Sequence, residues 1–282
     1  MSLDIDHLRS WIGNTETASE TVTSDMVQRY GATLDLDLET GNGAIAPLFI
    51  HLCVAPPAVP STEIGPDGHP KRGGFLPPVP LPRRMWAGGA LTLHDDIHVG
   101  DVVSRHSTIS DVTVKQGRSG TLCFVTVQHE ISSGTRHVLS ERQDIVYRDV
   151  DDPAKPAAPK AAGAPAAPAG AHRRPITPTP PLLFRYSALT FNGHRIHYDA
   201  PYARDVEGYP GLIVHGPLQA TLLALYAEEL RGARPAEFSF RSLSTIFDTS
   251  DFSLNASEDG EVMRLWTAQD GGPVAMEATA KW

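Results

Sequence analysis

Residues 194 to 199 read His-Arg-Ile-His-Tyr-Asp, so His194, Arg195, His197 and Asp199 fall within six positions. An imidazole moves protons near neutral pH, a guanidinium holds anions, and a carboxylate orients a partner or exchanges a proton. Ten residues beyond Asp199 begins Tyr209-Pro-Gly-Leu-Ile-Val-His-Gly-Pro217, which contains His215 and Gly216. A helix starting at Gly216-Pro217 aims unpaired backbone N–H groups and the positive end of its dipole at whatever faces it, which suits a developing oxyanion. A histidine beside such a site is, in outline, equipped for proton abstraction or for water addition, and spacing alone does not choose between them.

The elements that must position these groups can be read from periodicity and punctuation. Phe184 to Leu189 alternates like a strand leading into the histidine loop. Residues 216 to 231 predict a helix, with Gly216 as N-cap, Pro217 at the first helical position and Gly232 as the stop. Leu218, Leu222, Leu225, Tyr226 and Leu230 recur along it at helical spacing. Strands are expected over 238–243, 251–254, 262–267 and 274–281. In the first half, Asp25 to Tyr30 predicts a short helix capped by Thr23, Ser24 or Asp25. The apolar run 44–55 predicts a buried helix entered through Pro47, with His51 as a core histidine. An irregular Gly- and Pro-rich stretch follows, and strands begin near residue 87, with β-branched alternation over 108–115, 121–131 and 142–147. Helix then antiparallel strands thus occurs twice, and a long helix wrapped by a curved antiparallel sheet is the economical α+β arrangement.

Among 282 residues, 24 Lys and Arg against 33 Asp and Glu give a net charge of −9. The 41% hydrophobic and 20% charged content exclude wholesale disorder, collagen, coiled coil and mucin. No apolar run reaches the roughly 18 residues of a membrane-spanning helix, and the acidic start lacks a signal-peptide pattern. With Cys53 and Cys123 expected as free thiols, a cytoplasmic protein is expected. The acidic balance argues against a nucleic-acid partner, and no phosphate loop or dinucleotide fingerprint is present. Nine of the 24 prolines fall in residues 153 to 181, which read as a flexible linker between a unit at 1–152 and a unit at 182–282.

The stretch Tyr186-Ser-Ala-Leu-Thr-Phe-Asn-Gly-His-Arg-Ile-His-Tyr-Asp199, followed by Gly211-Leu-Ile-Val-His-Gly-Pro217, resembles the hydratase motif of MaoC-like enoyl-thioester hydratases. It is most similar to the type 2 hydroxyacyl-thioester dehydratase branch, which includes mesaconyl-C4-CoA and itaconyl-CoA hydratases. Gly65-Pro-Asp-Gly-His-Pro, Gly74-Phe-Leu-Pro-Pro and Pro82-Arg-Arg-Met-Trp-Ala-Gly-Gly89 resemble the same branch, so the likeness covers both halves. It implies a double hot dog, two units each with a long helix wrapped by an antiparallel sheet. In the family the motif runs Asp, any residue, Asn, Pro, an aliphatic residue, His. Here those positions hold Asn192, Gly193, His194, Arg195, Ile196 and His197.

The resemblance implies a hydro-lyase that adds water reversibly to an enoyl-CoA, with a C5 dicarboxylic substrate such as mesaconyl-C4-CoA or itaconyl-CoA giving citramalyl-CoA. With an amide in place of the aspartate, His197 is expected to make both proton transfers, Asn192 to position the water, and the Gly216 N–H to hold the thioester oxygen. Asp199 is the candidate displaced carboxylate. Arg195 either pairs with the free carboxylate of the substrate or tethers the loop. His194 is a supporting residue, and His215 is expected to shape the entry to its helix. Arg83, Arg84 and Trp86 are candidates for the CoA pocket, the arginines alternatively being a solvated pair. No metal and no cofactor is called for, CoA being a substrate handle, and a homodimer or higher homo-oligomer is expected. The alternatives are a 3-hydroxyacyl-thioester dehydratase of fatty-acid synthesis, which would need a basic surface to dock its carrier protein, and a non-catalytic acyl-thioester-binding subunit. A thioesterase would need a carboxylate to activate water against the carbonyl, and Asn192 counts against it.

Overall fold

The computed structural model describes residues 3–117, 120–149 and 165–282. Among them lie ten strands, β1 (Thr15–Thr21), β2 (Arg83–Leu93), β3 (Val102–Gly117), β4 (Gly120–Ser133), β5 (Arg136–Arg148), β6 (His172–Ile176), β7 (Glu237–Ser242), β8 (Phe252–Asp259), β9 (Val262–Gln269) and β10 (Val274–Lys281). The α-helices are α1 (Ile5–Arg9), α2 (Ser24–Leu34), α3 (Pro180–Leu189) and α4 (Gly216–Arg231).

All ten strands form one antiparallel sheet in the order β1-β3-β4-β5-β2-β7-β10-β9-β8-β6. The second five repeat the chain order of the first five about the β2–β7 seam, which is the double hot-dog arrangement. Two glycines make that seam possible. A Cβ on Gly88 would stand 2.6 Å from the Phe240 carbonyl oxygen, and one on Gly89 would meet the Arg142 carbonyl oxygen at 2.7 Å and the Phe240 ring at 2.8 Å.

Helix α4 lies against β7 to β10 and is buried on most sides, with Leu218, Ala220, Leu223, Ala224 and Ala227 closed to solvent. Burial of each large apolar side chain there contributes about 1.5–3 kcal/mol, and the alanines let the helix sit close to the sheet. Its N-cap is His215, with Pro217 in the first turn and Gly232 left-handed at φ 71°, so the helix begins one residue earlier than the sequence suggests. One continuous core joins both halves, while a smaller cluster around Val112, Val125 and Tyr147 covers the outer part of β3 to β5. Cys53 and Cys123 are both buried and unpaired. No helix among the described residues is long and apolar enough to cross a membrane.

Three expectations fail for identifiable reasons. Phe184 to Leu189 is not a strand but the body of α3. Thr179 Oγ1 accepts the Leu182 N–H, Pro180 and Pro181 fit the first turn, and Leu183, Tyr186 and Ser187 are buried at helical spacing. The run 44–55 is not a helix either. It forms only the 3₁₀ turn Ile50–Cys53, bracketed by left-handed residues Phe49 (φ 65°) and Ala55 (φ 47°) and stopped by Pro56. The neighbouring α2 is longer than expected and ties down this run through Tyr30 Oη, which donates to the Leu48 carbonyl at 2.6 Å. Thus, among the described residues, the first half has no counterpart of α4. Finally, the expected linker overlaps β6 and the start of α3. Pro175 is tolerated because β6 pairs only with β8 at the sheet edge. Residues 153–164 of that linker lie outside the described residues.

Candidate active site

The histidine loop starts where α3 stops. Phe191 turns left-handed at φ 50°, and the Asn192 N–H returns to the Ser187 carbonyl at 2.8 Å. Asn192 Oδ1 accepts the His194 N–H at 3.1 Å, so the side chain expected to hold a water also braces its own turn. A 3₁₀ turn, Arg195–His197, follows and is clamped to the strand-like segment before α4. The Ile213 N–H donates to the Ile196 carbonyl at 2.9 Å, and His197 Nδ1 donates to the Ile213 carbonyl at 2.8 Å. That second bond fixes the tautomer, because a carbonyl can only accept, and it leaves Nε2 of a neutral His197 with its lone pair.

His197 stacks on His215 with ring centroids 3.7 Å apart and meets His194 edge-on at 5.4 Å. His215 is fully buried and its Nε2 lies 2.8 Å from Ser187 Oγ, so it joins α3 to the entry of α4. Burial lowers the pKa of each of these imidazoles. For His197 burial outweighs the bond to Ile213 and brings it to about 4. His194 and His215 are also pushed down, by burial first and then by the neighbouring rings. At neutral pH the site therefore holds uncharged imidazoles, ready to accept a proton.

Two of the sequence candidates do structural work here. Asp199 Oδ2 accepts from Arg195 Nε and Nη2 at 2.9 and 2.8 Å, and Asp199 Oδ1 accepts the Tyr202 N–H at 3.1 Å. Its ion pair with Arg195 holds the Asp199 pKa below the ordinary carboxylate value, so it is spent as an anchor rather than placed as a second acid beside His197. Arg195 also donates from Nη1 to the Pro66 carbonyl at 3.1 Å and lies over the Tyr202 ring at 4.0 Å. Of its two expected tasks, the tether is the one its bonds describe.

The tether reaches a segment whose role the sequence did not disclose. The Arg195 N–H donates to the Asp67 carbonyl at 2.9 Å, and Gly68 packs on Gly193 so closely that a Cβ on either would strike the other's carbonyl oxygen. This contact brings the His69 ring to 4.1 Å from His194. His69 Nδ1 lies 3.0 Å from Asp67 Oδ2, and its N–H also donates to Asp67 Oδ1 at 3.1 Å. Two titratable residues in a Gly-Pro-rich stretch were the available signal. Their meeting with a loop far along the chain was not visible.

Asp67, His69, His194 and His197, but not Arg195, Asp199 or His215, line one cleft of about 1190 Å³ between the 57–86 region and the α3–α4 loops. Asn192, His194, His197 and Gly216 lie on one side, and Lys71, Arg72, Arg83, Arg84 and Trp86 also line it. Arg83 is no solvated residue. It donates to the Glu207 carbonyl at 3.0 Å, lies 3.6 Å from the Glu207 carboxylate, and covers the Tyr209 ring at 5.2 Å. The Trp86 ring meets Phe240 at 4.8 Å, and its buried Nε1 has no protein acceptor. Gly216 leaves room, with Ser242, Met276 and Trp86 only in ordinary contact range of a Cβ placed there. His51 stays outside the cleft, in the core, with Nε2 3.5 Å from Glu141 Oε2. Asp67, His69 and His194 bring one carboxylate oxygen and two ring nitrogens within 4.8 Å of one another, a grouping with the donor types of a metal site.

Comparison with known proteins agrees with this architecture. The family model for hydroxyacyl-thioester dehydratase type 2 matches residues 49–248. The chain is 41% identical over 274 residues to a mesaconyl-C(4)-CoA hydratase of Chloroflexus aurantiacus, covering 96% of each chain. In fold it is similar to a MaoC-like dehydratase of Phytophthora capsici, with TM-score 0.67, 15% identity and 99% of each chain covered. It is also similar to a Mycobacterium tuberculosis protein described as having a double hot-dog fold, with TM-score 0.57, 13% identity and 95% of each chain covered. On the extent of the family match and of the Chloroflexus relative, the chain belongs to the hydroxyacyl-thioester dehydratase type 2 family.

Proposed function

We infer that the protein is a cytoplasmic hydro-lyase that adds water reversibly to an α,β-unsaturated acyl-CoA, its substrate a C5 dicarboxylic thioester such as mesaconyl-C4-CoA, giving citramalyl-CoA. The observation that carries this reading is the fixed tautomer of His197, whose Nδ1 proton is held by Ile213 while the ring lines the cleft beside the start of α4.

In this reading the reaction uses that geometry. His197 Nε2 takes one proton from a water as the water oxygen bonds to the β-carbon. The C=C electron pair moves toward the thioester, and the enolate oxygen is held by the Gly216 N–H at the positive end of α4. The imidazolium then returns the proton to the α-carbon, and the neutral imidazole is restored. Trp86 Nε1 is a buried donor available to a carbonyl of the bound thioester. Lys71, Arg72 and Arg84 give an acidic protein local cations for the CoA phosphates and the free carboxylate, Arg83 being paired with Glu207. Arg195, already neutralised by Asp199, is not assigned to that carboxylate.

The test is a panel of enoyl-CoAs, mesaconyl-C4-CoA and unbranched monocarboxylic chains included, followed by loss of the conjugated thioester absorbance and by free-thiol release. Loss without thiol supports hydration, and thiol release would make the protein a thioesterase. Replacing His197 by Ala is expected to lower kcat by about 10²–10⁴. A near-normal rate in that variant would refute the scheme.

A further inference from the structure

The hydration scheme leaves one task without a residue. The attacking water has two hydrogens, and His197 accepts one. Something must accept the other, or the water is free to rotate its lone pair away from the β-carbon. Asn192, at the family's aspartate position, has one lone pair of its carbonyl oxygen bonded to the His194 N–H, and the lone pair that remains is a weaker acceptor than a carboxylate or an imidazole nitrogen.

Resting on that hydratase reading, we propose that His69, aligned by Asp67, is the second acceptor on the attacking water and takes over the place of the missing motif aspartate. His69 lines the same cleft as His197, and the His194 ring lies 4.1 Å from His69 and 5.4 Å from His197. Its Nδ1 faces Asp67 Oδ2 at 3.0 Å. An ionised carboxylate only accepts, so Nδ1 carries the proton and Nε2 presents a lone pair. Among the described residues no protein group bonds that Nε2. His69 and His197 thus share one design, each with its N–H committed to an oxygen of the scaffold and the opposite nitrogen left to the cleft. Both are neutral near pH 7, burial being the main cause in each case.

The step balances without a co-reactant. The water oxygen bonds to the β-carbon, and one proton passes to His197 Nε2 and on to the α-carbon. The other hydrogen stays on oxygen, hydrogen-bonded to His69 Nε2, and leaves as the product hydroxyl. The same three groups, Asp67, His69 and His194, have the donor types of a metal site, but Arg84 and Arg72 add positive potential at His69, which opposes a dication there.

The experiment compares the wild-type chain with His69→Ala, His69→Gln and Asp67→Asn. The readouts are kcat and KM on the best enoyl-CoA and ¹⁵N imidazole shifts at pH 7. The expected result is a fall in kcat of at least a hundredfold for His69→Ala with KM changed less than threefold. His69→Gln, whose amide oxygen can accept, should recover about tenfold, and Asp67→Asn should lose about tenfold as the tautomer is released. The wild-type His69 should appear as the neutral Nδ1–H form. A normal kcat in His69→Ala overturns the proposal while wild-type hydration stands, as does an effect on KM alone, a different tautomer, or tightly held zinc whose chelation abolishes turnover. Wild-type protein that hydrates none of the enoyl-CoAs overturns the functional reading itself, and the proposal with it.

Discussion

In the proposed scheme His197 would owe its reactivity to a hydrogen bond on the side of the ring that does not react. The Ile213 carbonyl holds Nδ1–H, and burial keeps the ring neutral by bringing its pKa to about 4. The base form is therefore present throughout the range where an ordinary histidine, near 6.5, would be half protonated. Activity is expected to survive acidification past pH 6 and to fall as pH drops through about 4. A kcat/KM profile over pH 3.5 to 8, with folding monitored in each buffer, checks this, and a limb centred near 6.5 would mean a solvent-exposed imidazole. His197 and its neighbours were legible in the sequence because their chemistry is packed into a few consecutive positions. The role of Asp199, and the choice between the two tasks of Arg195, were not, since the sequence shows two opposite charges four apart but not that they satisfy each other.

At the scale of elements, the site depends on two loops meeting backbone to backbone. Gly68, at φ 91°, and Gly193 approach so closely that no side chain fits between them, and the Arg195 bonds to Pro66 and Asp67 hold the contact shut. Gly193→Ala is expected to push the loops apart and displace His69 from His194. The rate should fall by tenfold or more while the melting temperature drops by only a few degrees, because the bulk of the core lies elsewhere. Parallel kinetics and thermal unfolding test this, and unchanged kinetics would mean that the loops need not touch. Helix α4 was readable from its Gly-Pro start, apolar period and Gly232 stop, where local signals agree with tertiary burial. The elements misread were those in which proline speaks twice. Pro180 and Pro181 open α3, Pro56 closes a single 3₁₀ turn, and Pro175 sits on an edge strand, while a count of prolines registers only irregularity.

For the whole molecule, the same burial that keeps the histidines neutral makes the fold sensitive to acid. His69, His194, His197 and His215 have folded-state pKa values below the unfolded value near 6.5, and for His69 and His197 the value is about 4. Between those limits the unfolded chain binds more protons than the folded one, so stability is fully present above about 6.5 and declines as pH falls toward 4. A shift from 6.5 to about 4 corresponds to about 3 kcal/mol for one buried group once pH lies below both values. Several such groups would consume much of the roughly 5–15 kcal/mol that a folded domain holds. Urea unfolding at pH 7.5, 6, 5 and 4.5 is expected to show a falling midpoint with little change in slope. His215 isolates the effect, because it is the most enclosed of the four and bonds only Ser187. His215→Gln, neutral at every pH, should flatten the decline between pH 6 and 4.5 even if it lowers stability at pH 7.5. A midpoint with the same pH dependence as the wild type would show that the enclosed histidine does not link protonation to unfolding.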